Sequence, residues 1–347
     1  MENQDKNYKK SFIGILIFLL LGLVLVVSAN IKLDHFGIFK NDLSKQKMLP
    51  NIRYIKVRHI LKHPNKYDTY LFGSSKVFYI NTKDIPKRNC YNMGIPLLTP
   101  YETVKYVKIF VKNKVQIKEI IYAVDNNSFR FGKYPGASIQ GLDPVLLYYP
   151  DTFVEKVNFF STYLFNSPIV LDKERDKWQD PYIFDSGSIS QAIRHQSGKH
   201  LETFETFQQS PFKYNNESLA LFSELAKVCK ENNIKLTIFI SPEYYTNYIH
   251  SDIPTYNYYK KKLAQITPYY DFSGLNEKTK DKDYFIDFVH YDCDMADLII
   301  DRIFNQNPNT PPKIKNFGAY VTQENIEAHL QSLCDETDLK KGCLPKE

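Results

Sequence analysis

The sequence predicts a doubly wound α/β fold, a mostly parallel sheet with helices on both faces and one apolar helix ahead of it. Three observations predict it. Short apolar runs without alternation recur at 69–72, 120–124, 236–240 and 269–272, the pattern of strands buried on both faces. Amphipathic helical stretches separate these runs. Residues able to carry chemistry stand directly behind them, where such sheets gather their active sites.

The elements follow in chain order. Residues 12–29 carry no charge and consist almost wholly of Ile, Leu, Val, Phe and Gly. At about 1.5 Å per residue the stretch spans roughly 27 Å, close to the hydrocarbon thickness of a bilayer. Lys6, Lys9 and Lys10 precede it, which predicts a cytoplasmic tail over 1–11 and a main domain outside, periplasmic or extracellular. A cleaved signal peptide is the rival reading, since Val27-Ser28-Ala29 has the small residues a signal peptidase accepts, but the length of the run favours an uncleaved single-pass anchor in the cell membrane.

A helix is expected over 52–61, and the first strand, 69–72, ends at Gly73. Thr99-Pro100-Tyr101-Glu102 is a capping box with Pro at the first helical position, followed by a stripe of Val104, Val107 and Val111. Residues 151–165 and 216–231 read as helices, and Asn232-Asn233 stops the second. The pattern loosens between 131 and 212, which reads as an insertion covering one end of the sheet and holding Trp178. The expected α/β domain runs from 30 to 304. Asn305 to Pro312 has the composition of a linker, taken over 305–315, and 316–347 forms a terminal helical segment with Ile326, Leu330 and Leu333 on one side.

Composition excludes several classes. A net charge of +6 and a pI near 8.7 are too mild, and the lysines too scattered, for a nucleic-acid-binding stripe. Runs such as Lys260-Lys261-Lys262 read as solvated faces. The spacing of Cys90, Cys229, Cys293, Cys334 and Cys343 fits no zinc pattern; Cys229 falls on the apolar face of its helix, and Cys334 and Cys343 are near enough to close a small loop. No glycine-rich phosphate loop and no Gly-x-Ser-x-Gly elbow occur, so neither a nucleotide cofactor nor an α/β-hydrolase elbow is expected, and no cofactor or metal is assigned. His195 and His200 lack a carboxylate partner at ligand spacing and read as surface residues. Asp292, Asp294 and Asp297 read as the acidic first turn of a helix.

Two short stretches carry candidate chemistry. Gly73-Ser74-Ser75 follows the first strand, where a serine can meet backbone N–H groups and a base from another strand. Asp287-Phe288-Val289-His290 follows the last, and an Asp three residues before a His can sit on one turn with it and fix its tautomer. Either alone is also ordinary turn chemistry.

Together these stretches resemble the SGNH (GDSL-like) hydrolase and acyltransferase family, whose fold is a flavodoxin-like three-layer sandwich. Tyr70-Leu71-Phe72-Gly73-Ser74-Ser75-Lys76 is similar to the family's first block, with Ser75 at the nucleophile position and Ser74 where Asp is usual. Tyr91-Asn92-Met93-Gly94 is similar to the second, whose Gly lends a backbone N–H to an oxyanion. Tyr284 to Tyr291 is similar to the last block, with Asp287 and His290. The third block departs: a Gly-x-Asn-Asp pattern is usual, whereas this chain has Val124-Asp125-Asn126-Asn127, so Asn126 is assigned the oxyanion-hole position, with Asp125 or Asn127 the next candidates. The outline similarity covers about 52–304 and is closest to membrane-anchored envelope members, such as teichoic-acid D-alanyl transfer and alginate-acetylation proteins.

The resemblance implies a membrane-anchored serine esterase or O-acyltransferase acting on an acylated envelope glycan or polymer. Ser75, His290 and Asp287 would form the triad, with an oxyanion hole from Ser75, Gly94 and Asn126. By analogy it implies a multi-spanning O-acyltransferase as partner. A non-catalytic envelope protein that binds glycan or a partner in the same cleft is the alternative.

Overall fold

A computed structural model describes residues 2–34, 36–40, 43, 50–132, 144–166, 186–187, 214–337 and 343–345, with side chains from Tyr8 onward. The helices are α1 (Glu2–Leu33), α2 (Ile52–Lys62), α3 (Pro100–Lys112), α4 (Asn126–Arg130), α5 (Phe153–Asn166), α6 (Glu217–Glu231), α7 (Tyr245–Ile249), α8 (Ile253–Ile266), α9 (Cys293–Phe304) and α10 (Ile326–Asp335). The strands are β1 (Thr69–Phe72), β2 (Cys90–Asn92), β3 (Glu119–Val124), β4 (Lys235–Ile240), β5 (Tyr269–Asp271) and β6 (Ala319–Val321). Trp178, His195, His200 and most of the expected insertion lie outside the described residues.

The chain divides into two compact units, Met1–Ile55 with Ser138–Pro181, and Lys56–Ala137 with Tyr182–Glu347. The first holds α1, whose stretch Tyr8–Leu33 has a mean hydropathy of 3.0 and is long and apolar enough to cross a membrane. It also holds α5, whose Phe159 stacks on Tyr54 with ring centroids 4.9 Å apart. Where the chain leaves α1, the buried Asp34 carboxylate accepts the backbone N–H groups of Ile38, Phe39 and Lys40, which folds the exit into a tight loop.

The second unit is the α/β body. Its six strands lie in the order β2-β1-β3-β4-β5-β6, parallel except for β6, which pairs antiparallel with β5. Alternate residues of each strand serve opposite faces. On one face Leu71, Ile121, Ala123 and Phe239 pack in a core with Met295 and Ile299 of α9. On the other, Tyr70 meets Phe110 of α3 at 5.3 Å and Tyr122 meets Phe222 of α6 at 5.7 Å. Helices cover both faces, which is why the expected strand runs lack polar alternation. The chain order reverses between β1 and β3, so their carboxyl ends flank a crevice.

The Thr99 capping box is formed in full: the Thr99 hydroxyl accepts from Glu102 N at 3.2 Å and the Glu102 carboxylate accepts from Thr99 N at 3.1 Å. Cys229 is buried in α6, and Asp292 caps α9 by accepting from Met295 N at 3.0 Å. The lysine run is a correction. Lys260 is fully buried in α8, ion-paired with Asp271 at 3.2 Å and with its ammonium 4.7 Å from the Tyr256 ring centroid. One turn of helix points it at the sheet, whereas Lys261 and Lys262 fall on other faces.

Beyond α9 the chain is tied down more closely than its composition suggests. The Arg302 guanidinium donates to the carbonyls of Asn307, Pro308 and Thr310, which fixes the Asn- and Pro-rich segment against its own helix. The segment then feeds β6 at the sheet edge and α10. Cys334 and Cys343 form a disulfide, and Asn257 Nδ2 of α8 donates to the Cys343 carbonyl at 2.9 Å.

Candidate active site

Loops at the carboxyl ends of the strands converge. After β1, Gly73 leads into a short 3₁₀ turn, Ser75–Tyr79. A side chain on Gly73 would press its Cβ to 2.5 Å from Val77 and 3.0 Å from Ala123, so glycine is what lets this turn close against β3. Ser74 caps the turn and is itself fixed across the crevice, donating from its hydroxyl to Asp125 Oδ2 at 2.6 Å. Lys76, buried on the other side of Ser75, pairs with the buried Glu243 after β4 at 2.8 Å, and Asn247 Nδ2 donates to the second oxygen of that carboxylate at 2.9 Å. Ser75 is thus held between two anchored neighbours.

The base arrives from the loop between β5 and α9. A bridge between Phe285 and Tyr291 closes its foot, and Ile286 N donates to the His290 carbonyl at 2.9 Å. Inside this loop Asp287 Oδ1 accepts from the N–H groups of Val289 and His290, each at 2.7 Å, and Oδ2 lies 2.8 Å from His290 Nδ1. His290 Nε2 stands 2.7 Å from Ser75 Oγ. The three expected residues are therefore in series within hydrogen-bond reach. His290 and Asp287 keep partial solvent contact, with side chains 25% and 32% exposed, so the site opens outward.

Partial burial raises the Asp287 carboxyl, but the His290 hydrogen bond and charge and the two backbone N–H groups outweigh it and hold the pKa below the usual carboxylate range. A carboxylate held ionised beside Nδ1 fixes the proton there and leaves Nε2 with its lone pair toward Ser75.

The expected oxyanion donors divide. Asn126 begins α4, and Asp125 before it caps that helix by accepting from Ser128 N at 3.0 Å while also receiving Ser74. Asn126 Oδ1 accepts from the Tyr214 hydroxyl at 2.7 Å, and its buried Nδ2 is a donor without a partner among the described residues. Such an atom costs stability unless something accepts from it. Asn127 serves elsewhere, accepting from Arg130 at 3.3 Å.

Gly94 is different. Its N–H donates to Asn92 Oδ1 at 2.7 Å, so in this state it is committed within its own loop and is not presented as an oxyanion donor. Asn92 in turn donates to the Val77 carbonyl at 2.8 Å, and the buried Lys56 donates to the carbonyls of both Asn92 and Gly94. Burial lowers the Lys56 pKa well below the usual lysine range.

Several supports escaped the sequence reading. Asp-x-x-Ser at Asp125–Ser128 was a legible capping pattern and could have marked Asp125 as a turn anchor. Tyr214, Glu243 and Lys56 left no such trace, because they reach the site from distant segments. No protein-family model matches the chain, and no curated protein matches it.

Proposed function

We propose that the protein is a serine esterase or O-acyltransferase of the SGNH type, and one observation carries the reading: Ser75 Oγ, His290 and the Asp287 carboxylate stand in series at 2.7 and 2.8 Å. His290 Nε2 takes the Ser75 proton as Oγ bonds to the acyl carbon. The imidazolium, steadied by Asp287, then gives that proton to the departing alcohol oxygen as the ester bond breaks. A water or sugar hydroxyl next loses its proton to His290 and attacks the acyl-serine, and Ser75 recovers its proton. Negative charge on the carbonyl oxygen is met by the Ser75 N–H and by Asn126 Nδ2, the buried donor that otherwise lacks an acceptor among the described residues.

The 2-1-3-4-5 order of the parallel strands and the placement of all three site loops at their carboxyl ends support the SGNH-type fold. The helix α1 supports a membrane anchor, Lys6, Lys9 and Lys10 ahead of its apolar run support a body outside the cytoplasm, and the Cys334–Cys343 disulfide supports an oxidising compartment. The acyl group then comes from or goes to an envelope glycan or polymer. A multi-spanning O-acyltransferase as partner rests on analogy with the family.

A fluorophosphonate probe tests the chemistry. Phosphonylation found by mass spectrometry on Ser75, lost in Ser75→Ala and in His290→Ala, is the expected result. Folded protein that never labels refutes it. Turnover of acyl esters with water or with sugar acceptors then separates hydrolase from transferase. A non-catalytic glycan-binding reading is favoured by the commitment of the Gly94 N–H to Asn92. Glycan binding without labelling would establish it.

A further inference from the structure

Helix α5 carries apolar side chains on two sides, and the described residues of its unit pack on one. Inward, Phe159 stacks on Tyr54, and Phe160 and Tyr163 pack on Phe39. Outward, Phe153, Val154, Val157 and Phe165 are 80%, 65%, 49% and 46% exposed. Positions 154, 157 and 165 fall on one stripe of a helix with 153 at its edge, so these four make a single face rather than scattered side chains.

This face begins where α1 ends its apolar run. Asn30 Nδ2 of α1 donates to the Leu164 carbonyl at 2.7 Å, and the Tyr163 hydroxyl donates to Asp34 Oδ1 at 2.6 Å. Along α1 every residue from Tyr8 to Leu25 is exposed, whereas Val26, Val27 and Ala29 are half-buried at the end of the helix that α5 meets. Leu164 adjoins Phe165, so the uncovered stripe has one end beside Asn30, next to the apolar run of α1. Exposed Asn158 borders the outward stripe and exposed Lys156 stands near the amino end of the helix, polar side chains beside an apolar face as in an interfacial helix.

We infer that α5 is a second membrane contact: it lies in the interfacial layer of the bilayer that α1 enters, with Phe153, Val154, Val157 and Phe165 turned toward the headgroup–acyl boundary. The inference rests on the reading of α1 as an anchor. It makes the first unit a two-point mount on the lipid surface rather than a single tether.

The test uses the full chain in vesicles of phosphatidylcholine and phosphatidylglycerol, with and without acyl chains brominated near the headgroup end. Single substitutions Phe153→Trp and, independently, Val157→Trp report on α5. Leu25→Trp, toward the carboxyl end of the apolar run, reports on α1, and Lys227→Trp on exposed α6 serves as the aqueous control. Emission of the unsubstituted chain, which holds one Trp, is subtracted. Expected are a blue shift and bromolipid quenching for both α5 probes comparable to that of the α1 probe, with none for the control. Quenching at α1 alone, with the α5 probes open to acrylamide, overturns the inference and leaves the anchor intact. Failure to quench at α1, with the protein not floating with vesicles, overturns the anchor and the inference with it.

Discussion

Ser75, His290 and Asp287 differ in how much each owes to its own segment. Asp287 and His290 share one short loop and satisfy each other locally, so Asp287→Asn is expected to leave the fold intact while costing turnover on the order of 10³- to 10⁴-fold, read as kcat/KM on an activated ester. The asparagine can present its amide to Nδ1 and stabilise the wrong tautomer. Asn126→Ala removes the donor that stands without an acceptor among the described residues. The expected loss is on the order of 10²- to 10³-fold in kcat with substrate binding little changed, since the bond forms chiefly as the oxyanion develops. If Asn126→Ala instead leaves kcat unchanged and only lowers stability, the amide is structural. Asp287 also sets an acid limit. Its carboxyl is held below its unfolded value, so the stabilisation is complete above the unfolded pKa and disappears as pH falls through the lower, folded one.

Helix α3 and its capping box were readable because every part of the signal is local: Thr99, Pro100 and Glu102 are consecutive or three apart. Thr99→Ala is expected to lower stability by about 1 kcal/mol, measured by urea unfolding, with the site geometry retained. The same locality made β1, β3 and β4 legible as apolar runs and made Asp287 with His290 legible as a pair. Strands β2 and β6 have three residues each and no distinctive run, so only their partners define them. Helix α8 was hidden by its lysines, because a charge on the buried face contradicts the usual amphipathic pattern. The commitment of the Gly94 N–H could not be foreseen, since it depends on a rotamer of Asn92 set by the Val77 carbonyl.

Buried charge is the main liability of the α/β body as a whole. Burial raises Asp271 and lowers Lys260, but the Lys260 charge, His329 at 2.9 Å and Ser273 hold the Asp271 carboxyl far below its usual range. Removing the Asp271 charge leaves the Lys260 ammonium buried without the carboxylate it pairs with. Asp271→Asn is expected to cost about 3–5 kcal/mol near neutral pH. Part of that loss should return as pH rises toward the unfolded lysine value of about 10.4, because the folded state then sheds a proton that the unfolded state still holds. Denaturation midpoints measured across that range check the sign. Reducing the Cys334–Cys343 disulfide, which closes a loop with a sequence separation of 9, is expected to cost about 2–3 kcal/mol and to free the tail from α8. A thermal melt with and without reductant reads it.

The hydroxyl of Ser75 and the imidazole that would activate it are separated by 215 positions in the chain. Synthesis delivers the serine early and the histidine late, and no local folding event can join them. On the proposed function, a nascent or truncated chain therefore carries an inert alcohol, and nucleophilic character would arise only once the last third of the polypeptide has folded around the first. Reactivity at this one atom is in effect a clock for completion, silent until the sheet has closed around it.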